Sequence, residues 1–167
     1  MATYNLIASN TVGSGGASIV TFSSIPSTYT DLVIKASPRN VSGGISQIKL
    51  QFNSSGGTAY TDTTIEGTGS SVSSFRRTGQ AYIWAIAVNS TANNFGNYEC
   101  YIPNYAGSSY KSVSIDSVIE ANATAAYQNL VAGLWSNTAA ITSISLEANG
   151  VDLAQYSSFY LYGIKNS

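Results

Sequence analysis

The residues that could do chemistry in this chain are few, and one type is missing altogether. Its 167 residues include no histidine, which removes Ser-His-Asp and Cys-His nucleophilic catalysis and most transition-metal sites. The single cysteine, Cys100, alternates with Tyr98 and Ile102 in NYECYIPN. A buried structural thiol is expected there, because nothing nearby in sequence would lower its pKa. The carboxylates are Asp31, Asp62, Glu66, Glu99, Asp116, Glu120, Glu147 and Asp152. A glycosidase-type mechanism needs two of them in one cleft. Asp62 with Glu66, or Asp116 with Glu120, would share a strand face roughly 13 Å apart, too far for either retaining or inverting geometry. A pair drawn from different strands is left open. Calcium binding by Asp31, Asp62 or Asp152 would lack a ligand-dense D-x-D-type loop. The Gly-Ser stretches at 13–16 and 67–71 lack the Lys-Ser/Thr of a phosphate loop and read as turns. The expectation is a non-enzymatic protein with no catalytic residue, no cofactor and no metal site.

Recognition is better supplied than catalysis. Phe75, Arg76 and Arg77 stand together in GTGSSVSSFRRTG, and arginine beside an aromatic ring is a common interface anchor. That segment shows no periodicity, so it reads as an exposed loop from Gly67 to Gly79. Trp84 and Trp135, with the tyrosines, could form a platform for stacking sugar rings. The same residues, spaced as they are in alternating strands, could equally be core or interface.

The elements that must carry these residues are strands. Alternation of apolar and polar residues marks Tyr4 to Ala8, Ala17 to Ser23, Leu32 to Ala36, Ile45 to Asn53, Ala59 to Gly67, Gln80 to Val88, Phe95 to Pro103, Lys111 to Ala121, Ala140 to Glu147 and Ser157 to Lys165. The first two are expected to pair as a hairpin across Gly13–Gly16. Gln80 to Val88 is apolar on both faces and is expected to be central, whereas the Thr-rich Ala59 to Gly67 is expected at an edge. Thr124 to Trp135 carries Tyr127, Leu130, Val131 and Leu134 at helical spacing, with Thr124 as a possible cap. Gly133 and the closely bracketing strands favour strand or irregular structure instead. Between Phe22 and Ala36, the Ile25-Pro26 pair stops any ladder, since proline offers no N–H. It reads as a corner between two sheets. About ten short strands with frequent turn signals predict one antiparallel β-sandwich over 1–167, jelly-roll-like.

Composition narrows the class further. Charged residues make up only 9% of the chain, against about 25% in ordinary globular proteins. Hydroxyl residues take their place, and there are 12 tyrosines. Interfaces favour tyrosine and disfavour charge at their cores. The net charge is −1, with no basic cluster larger than Arg76-Arg77, so counterion-release binding to nucleic acid is not expected. No apolar run approaches a membrane span, and MATYNLIASN has no signal-peptide pattern. The lone cysteine excludes an intrachain disulfide. The N-x-S/T triplets at Asn40, Asn53, Asn89 and Asn122 are what chance gives in a chain so rich in Asn, Ser and Thr.

The start YNLIAS…VTFSSIPSTYTDLVI, the segment NATAAYQNLVAGLW and the end LYGI together resemble a group of small virion-associated proteins of tailed bacteriophages, found among phages of aquatic bacteria. The resemblance implies a structural β-protein of the particle: a capsid decoration (cement) protein, or a part of a tail or tail fibre. It implies the major capsid protein or other virion proteins as partners, and assembly as a symmetric homo-oligomer, with a trimer favoured. Synthesis in the host cytoplasm and residence in the virion would need no secretion signal. A carbohydrate-binding adhesin head that recognises host glycans is the alternative. The resemblance carries over no functional residues.

Overall fold

The computed structural model describes residues 3–121 and 126–165. Alternating side chains give β1 (Thr3–Thr11), β2 (Ile19–Phe22), β3 (Asp31–Ser37), β4 (Ser46–Phe52), β5 (Tyr60–Gly67), β6 (Val72–Gln80), β7 (Ile83–Val88), β8 (Asn97–Ile102), β9 (Lys111–Glu120), β10 (Ala126–Trp135), β11 (Ile144–Ala148) and β12 (Ser158–Lys165). They form an antiparallel β-sandwich. The large sheet runs β1-β12-β3-β8-β9-β10-β5-β6, and the small sheet β2-β11-β4-β7. The small sheet lays Val20 and Phe22, Leu146 and Ala148, Ile48, Leu50 and Phe52, and Ile83, Ala85 and Ala87 on one face of the large sheet. The large sheet answers with Leu32 and Ile34, Tyr98, Cys100 and Ile102, Val113 and Ile115, Val131 and Trp135, and Phe159 and Leu161. Each set occupies every second position of its strand, the periodicity that puts one face of a pleat in the core.

The Ile25-Pro26 corner carries the chain from β2 in the small sheet to β3 in the large one, as its proline predicts. It is pinned from several sides. The Tyr105 hydroxyl donates to Pro26 O, the Ile25 N–H to Thr142 O at 3.0 Å and the Thr30 N–H to Ile164 O at 2.8 Å. The ring of Tyr29 lies against Gly163, where an added Cβ would come within 2.3 Å of it. Only glycine fits under that ring.

Four expectations are corrected. β1 and β2 do not form a hairpin: β1 pairs with β12 and β2 with β11, so the turn at 13–16 carries the chain from one sheet to the other. Residues 72–79 are not loop but most of β6, joined to β5 by the 68–71 turn, in which the Thr68 N–H donates to Ser71 O at 3.0 Å. β5 is therefore not an edge, since β10 and β6 flank it. β7 is not central. It is an edge of the small sheet, with Ile83, Ala85 and Ala87 buried and Trp84 and Ile86 half-buried on the outer face. The open choice for residues 124–135 resolves as strand over the described part, Ala126–Trp135: β10 pairs along its length with β9, and from Gln128 on with β5, and Gly133 sits where a Cβ would press within 2.7 Å of Ile83 and Val113. Thr124 and Asn122 lie outside the described residues.

Candidate functional site

Phe75, Arg76 and Arg77 come out on β6, and alternation splits them. Arg76 faces solvent, opposite Thr63. Phe75 is 38% exposed. Arg77 turns toward the interior opposite buried Asp62, with Nε and Asp62 Oδ1 at 2.8 Å, and its Cζ lies 5.1 Å from the Phe75 ring. Arg77 Nη2 also donates to Thr64 Oγ1 and to Trp84 O, each at 3.3 Å. Trp84 belongs to the small sheet, so Arg77 ties the two sheets together. Beside it, Asn129 Oδ1 accepts the Ile86 N–H at 3.0 Å. Two backbone groups on the β7 edge are thus satisfied by side chains from the opposite sheet, as buried polar groups require. Burial pushes the Asp62 carboxyl above the usual carboxylate range, and Arg77 opposes that rise. Arg77 is a structural clamp, which leaves Phe75 and Arg76 as the exposed part of the expected partner-binding trio.

The tryptophans also divide. Trp135 is 1% exposed, its ring 5.6 Å from Phe52 and stacked at 18° on Tyr60. It cannot offer a face to a sugar, so that expectation is corrected. Spacing in the strand told which residues share its side, but not that this side is the core. Trp84 lies on the outer face of the small sheet with Tyr82 edge-on at 5.9 Å. Lys49 Nζ sits 5.2 Å and 5.7 Å from the two ring centroids while holding Glu147 at 2.8 Å. A cation already covers the Trp84 ring.

A surface cleft of about 560 Å³ lies on the outer face of the large sheet. Its walls include Lys35, Asn97, Glu99, Phe95, Tyr160 and Tyr162. Lys35 and Glu99 form an ion pair at 2.7 Å, and the two tyrosine rings stack 6.5 Å apart at 28°. Strand register sets Tyr160, Lys35, Glu99, Asp116 and Leu130 in one row across five strands. Glu99 and Asp116 are therefore direct cross-strand neighbours. The sequence could not show this, because it depends on how β8 and β9 register. Glu99 is held by Lys35, and the cleft is broad and open to solvent.

The other candidate groups have structural occupations. Asp31 accepts from the Tyr101 hydroxyl and the Asn104 N–H, both at 2.9 Å, and so locks the end of β3 to the turn after β8. Among the described residues no three His, Cys, Asp or Glu converge as metal ligands. Lys111 is fully buried and donates to Gly107 O at 2.7 Å, to Ser109 O and to Thr138 O at 3.4 Å. Burial lowers its pKa. Cys100 is buried, and desolvation pushes its thiol up to about 12. Native protein is therefore expected to leave Ellman's reagent unreacted at pH 8 and to release one thiol only in denaturant; rapid reaction of the folded protein would contradict this.

No protein-family model matches the chain, and no curated protein does. Among solved structures, the chain has a likeness to one described as "Structure of infectious bursal disease virus Gx strain", at 15% identity and a TM-score of 0.16. The match covers 98% of this chain and 40% of that one. The chain thus spans well under half the length of that viral protein.

Proposed function

We propose that this is a non-enzymatic structural protein of a bacteriophage virion, most simply a decoration protein that docks on the head surface. The observation that carries this reading is the outer face of the large sheet. There Tyr4, Leu6, Tyr101 and Tyr160 toward one end, and Ile65, Leu130 and Val118 toward the other, are exposed on either side of Lys35, Glu99 and Asp116. Exposed apolar and tyrosine-rich surface of this kind marks contact with other proteins. Three of the carboxylates are held in ion pairs: Asp62 by Arg77, Glu99 by Lys35, Glu147 by Lys49. The phage assignment itself rests on the resemblance of the two chain ends and the segment around Leu130. Many copies on a lattice would gain avidity from individually modest contacts. Purified protein added to heads stripped of it should rebind to saturation at a fixed ratio to the major capsid protein, and no rebinding would refute the proposal.

The Tyr160–Tyr162 cleft favours a second reading, a glycan-binding adhesin head. Hexose C–H faces can lie on tyrosine rings while hydroxyls meet Lys35, Glu99 and Asn97. Tyr160→Ala should then abolish retention on immobilised host polysaccharide, whereas Trp135→Ala would act only through stability. Failure of the wild-type protein to bind host polysaccharide excludes this reading.

A further inference from the structure

Among the described residues the sandwich has four open sheet edges, and three of them are blunted. β2 is only four residues long. On β7 the Trp84 carbonyl and the Ile86 N–H are taken by Arg77 and Asn129 side chains. β6 carries adjacent Arg76 and Arg77, and its register with β5 is broken between Tyr60 and Asp62. Short strands, bulges and charges are the devices that stop edges from pairing. β1 differs. It is nine residues long, contains no charged residue and, among the described residues, pairs with β12 alone. Tyr4 and Leu6 project from its outer face, 59% and 55% exposed. A register shift between Leu6 and Ala8 leaves Thr3 to Leu6 as a straight run in unbroken register with Lys165 to Tyr162.

We infer that β1 is a dimerisation edge, pairing antiparallel with β1 of a second copy so that the large sheet runs through both molecules. The occupant follows from the other edges. A trimer would need β1 to meet a different edge head to tail, and the three other edges are blunted. An isologous pair needs only β1. Because β1 has no charge, no self-register sets like charges opposite each other, and a net charge of −1 per chain puts little repulsion between copies. Cross-strand partners lie on one face of a sheet. The register that keeps Tyr4 and Leu6 together sets Tyr4 opposite Leu6 of the second copy, Asn5 opposite Asn5, and Leu6 opposite Tyr4. Aromatic–aliphatic cross-strand pairs of this type stabilise sheets. The inference stands independently of the phage reading.

Sedimentation velocity of the wild-type protein at about 100 μM, well above a micromolar dissociation constant, should show a dimer. Tyr4→Lys with Leu6→Lys should weaken it by at least about 100-fold, with unchanged circular dichroism because both side chains are more than half exposed. Asn5→Cys should form a covalent dimer under mild oxidation, and Thr11→Cys should not; buried Cys100 does not compete. A wild-type monomer or trimer would overturn the inference. So would a dimer indifferent to the two lysines, or an intact dimer in which Asn5→Cys fails to cross-link.

Discussion

Trp135→Ala is expected to cost about 3–5 kcal/mol of folding stability, the range for removing a large aromatic from a core that cannot collapse around the gap. The site has little room to relax. Trp135 ends β10, with Tyr60 on β5 directly opposite it, and Phe52 reaches it from the small sheet. Tyr60 is itself fixed, accepting the Phe52 N–H at 2.8 Å and donating to Phe52 O at 3.3 Å; burial lifts its hydroxyl to about 12. The three rings therefore join both sheets at one end of the sandwich, and deleting the largest leaves two rigid walls facing a void. At about 2–4 °C per kcal/mol for a chain of this size, the thermal midpoint should fall by roughly 6–20 °C. Urea denaturation followed by circular dichroism measures this, and a loss below about 1 kcal/mol would show that Trp135 does not join the sheets.

Breaking the Asp62–Arg77 pair from the arginine side should be comparably severe. Arg77→Ala strands a buried carboxylate and frees the Trp84 carbonyl that Arg77 was holding, and loss of one partner of a buried pair costs about 3–5 kcal/mol. Asp62→Asn, which keeps the shape and removes the charge, should cost much less. The pair also predicts a pH dependence of definite sign. Burial holds Asp62 above the ordinary carboxylate value in the folded state, so between about 3.9 and that raised value the native protein binds more protons than the unfolded chain. The Asp62 contribution is therefore most favourable at low pH, declines as pH rises through this window, and is flat above it. Urea midpoints collected across the acidic range should show this slope for the wild type and lose it in Asp62→Asn. A slope that survives the substitution unchanged would assign it to other groups.

The core was largely legible in the sequence because alternation reports burial when exactly one face of a strand meets the interior. Ile48, Leu50 and Phe52 on β4 face inward as their spacing predicts, and Tyr98, Cys100 and Ile102 on β8, like Phe159 and Leu161 on β12, share one face as predicted, which is the buried one. So does the corner at Pro26, where missing hydrogen-bonding capacity forces the crossing. β6 escaped because almost all of it is exposed on both faces: an edge strand that overhangs the core has no apolar side to alternate. β7 misled in the opposite way, since Tyr82, Trp84 and Ile86 form an apolar outer surface under Lys49, which resembles burial. The β1–β2 error came from proximity along the chain, which a sandwich overrides when successive strands join opposite sheets. The candidate surfaces were less legible for the same kind of reason. The Tyr160, Lys35, Glu99, Asp116 row exists only through the register of four strands, and Arg77 is a clamp only because its side chain reaches from the edge of the large sheet to the Trp84 carbonyl on β7.

If this chain coats a phage head, as proposed, quantitative mass spectrometry of gradient-purified, tailless heads from the phage that encodes it should find the protein there. It should stand in a fixed, many-copy ratio to the major capsid protein and be retained through a second gradient. Its absence from such heads, or its presence only in fractions containing tails, would rule that role out.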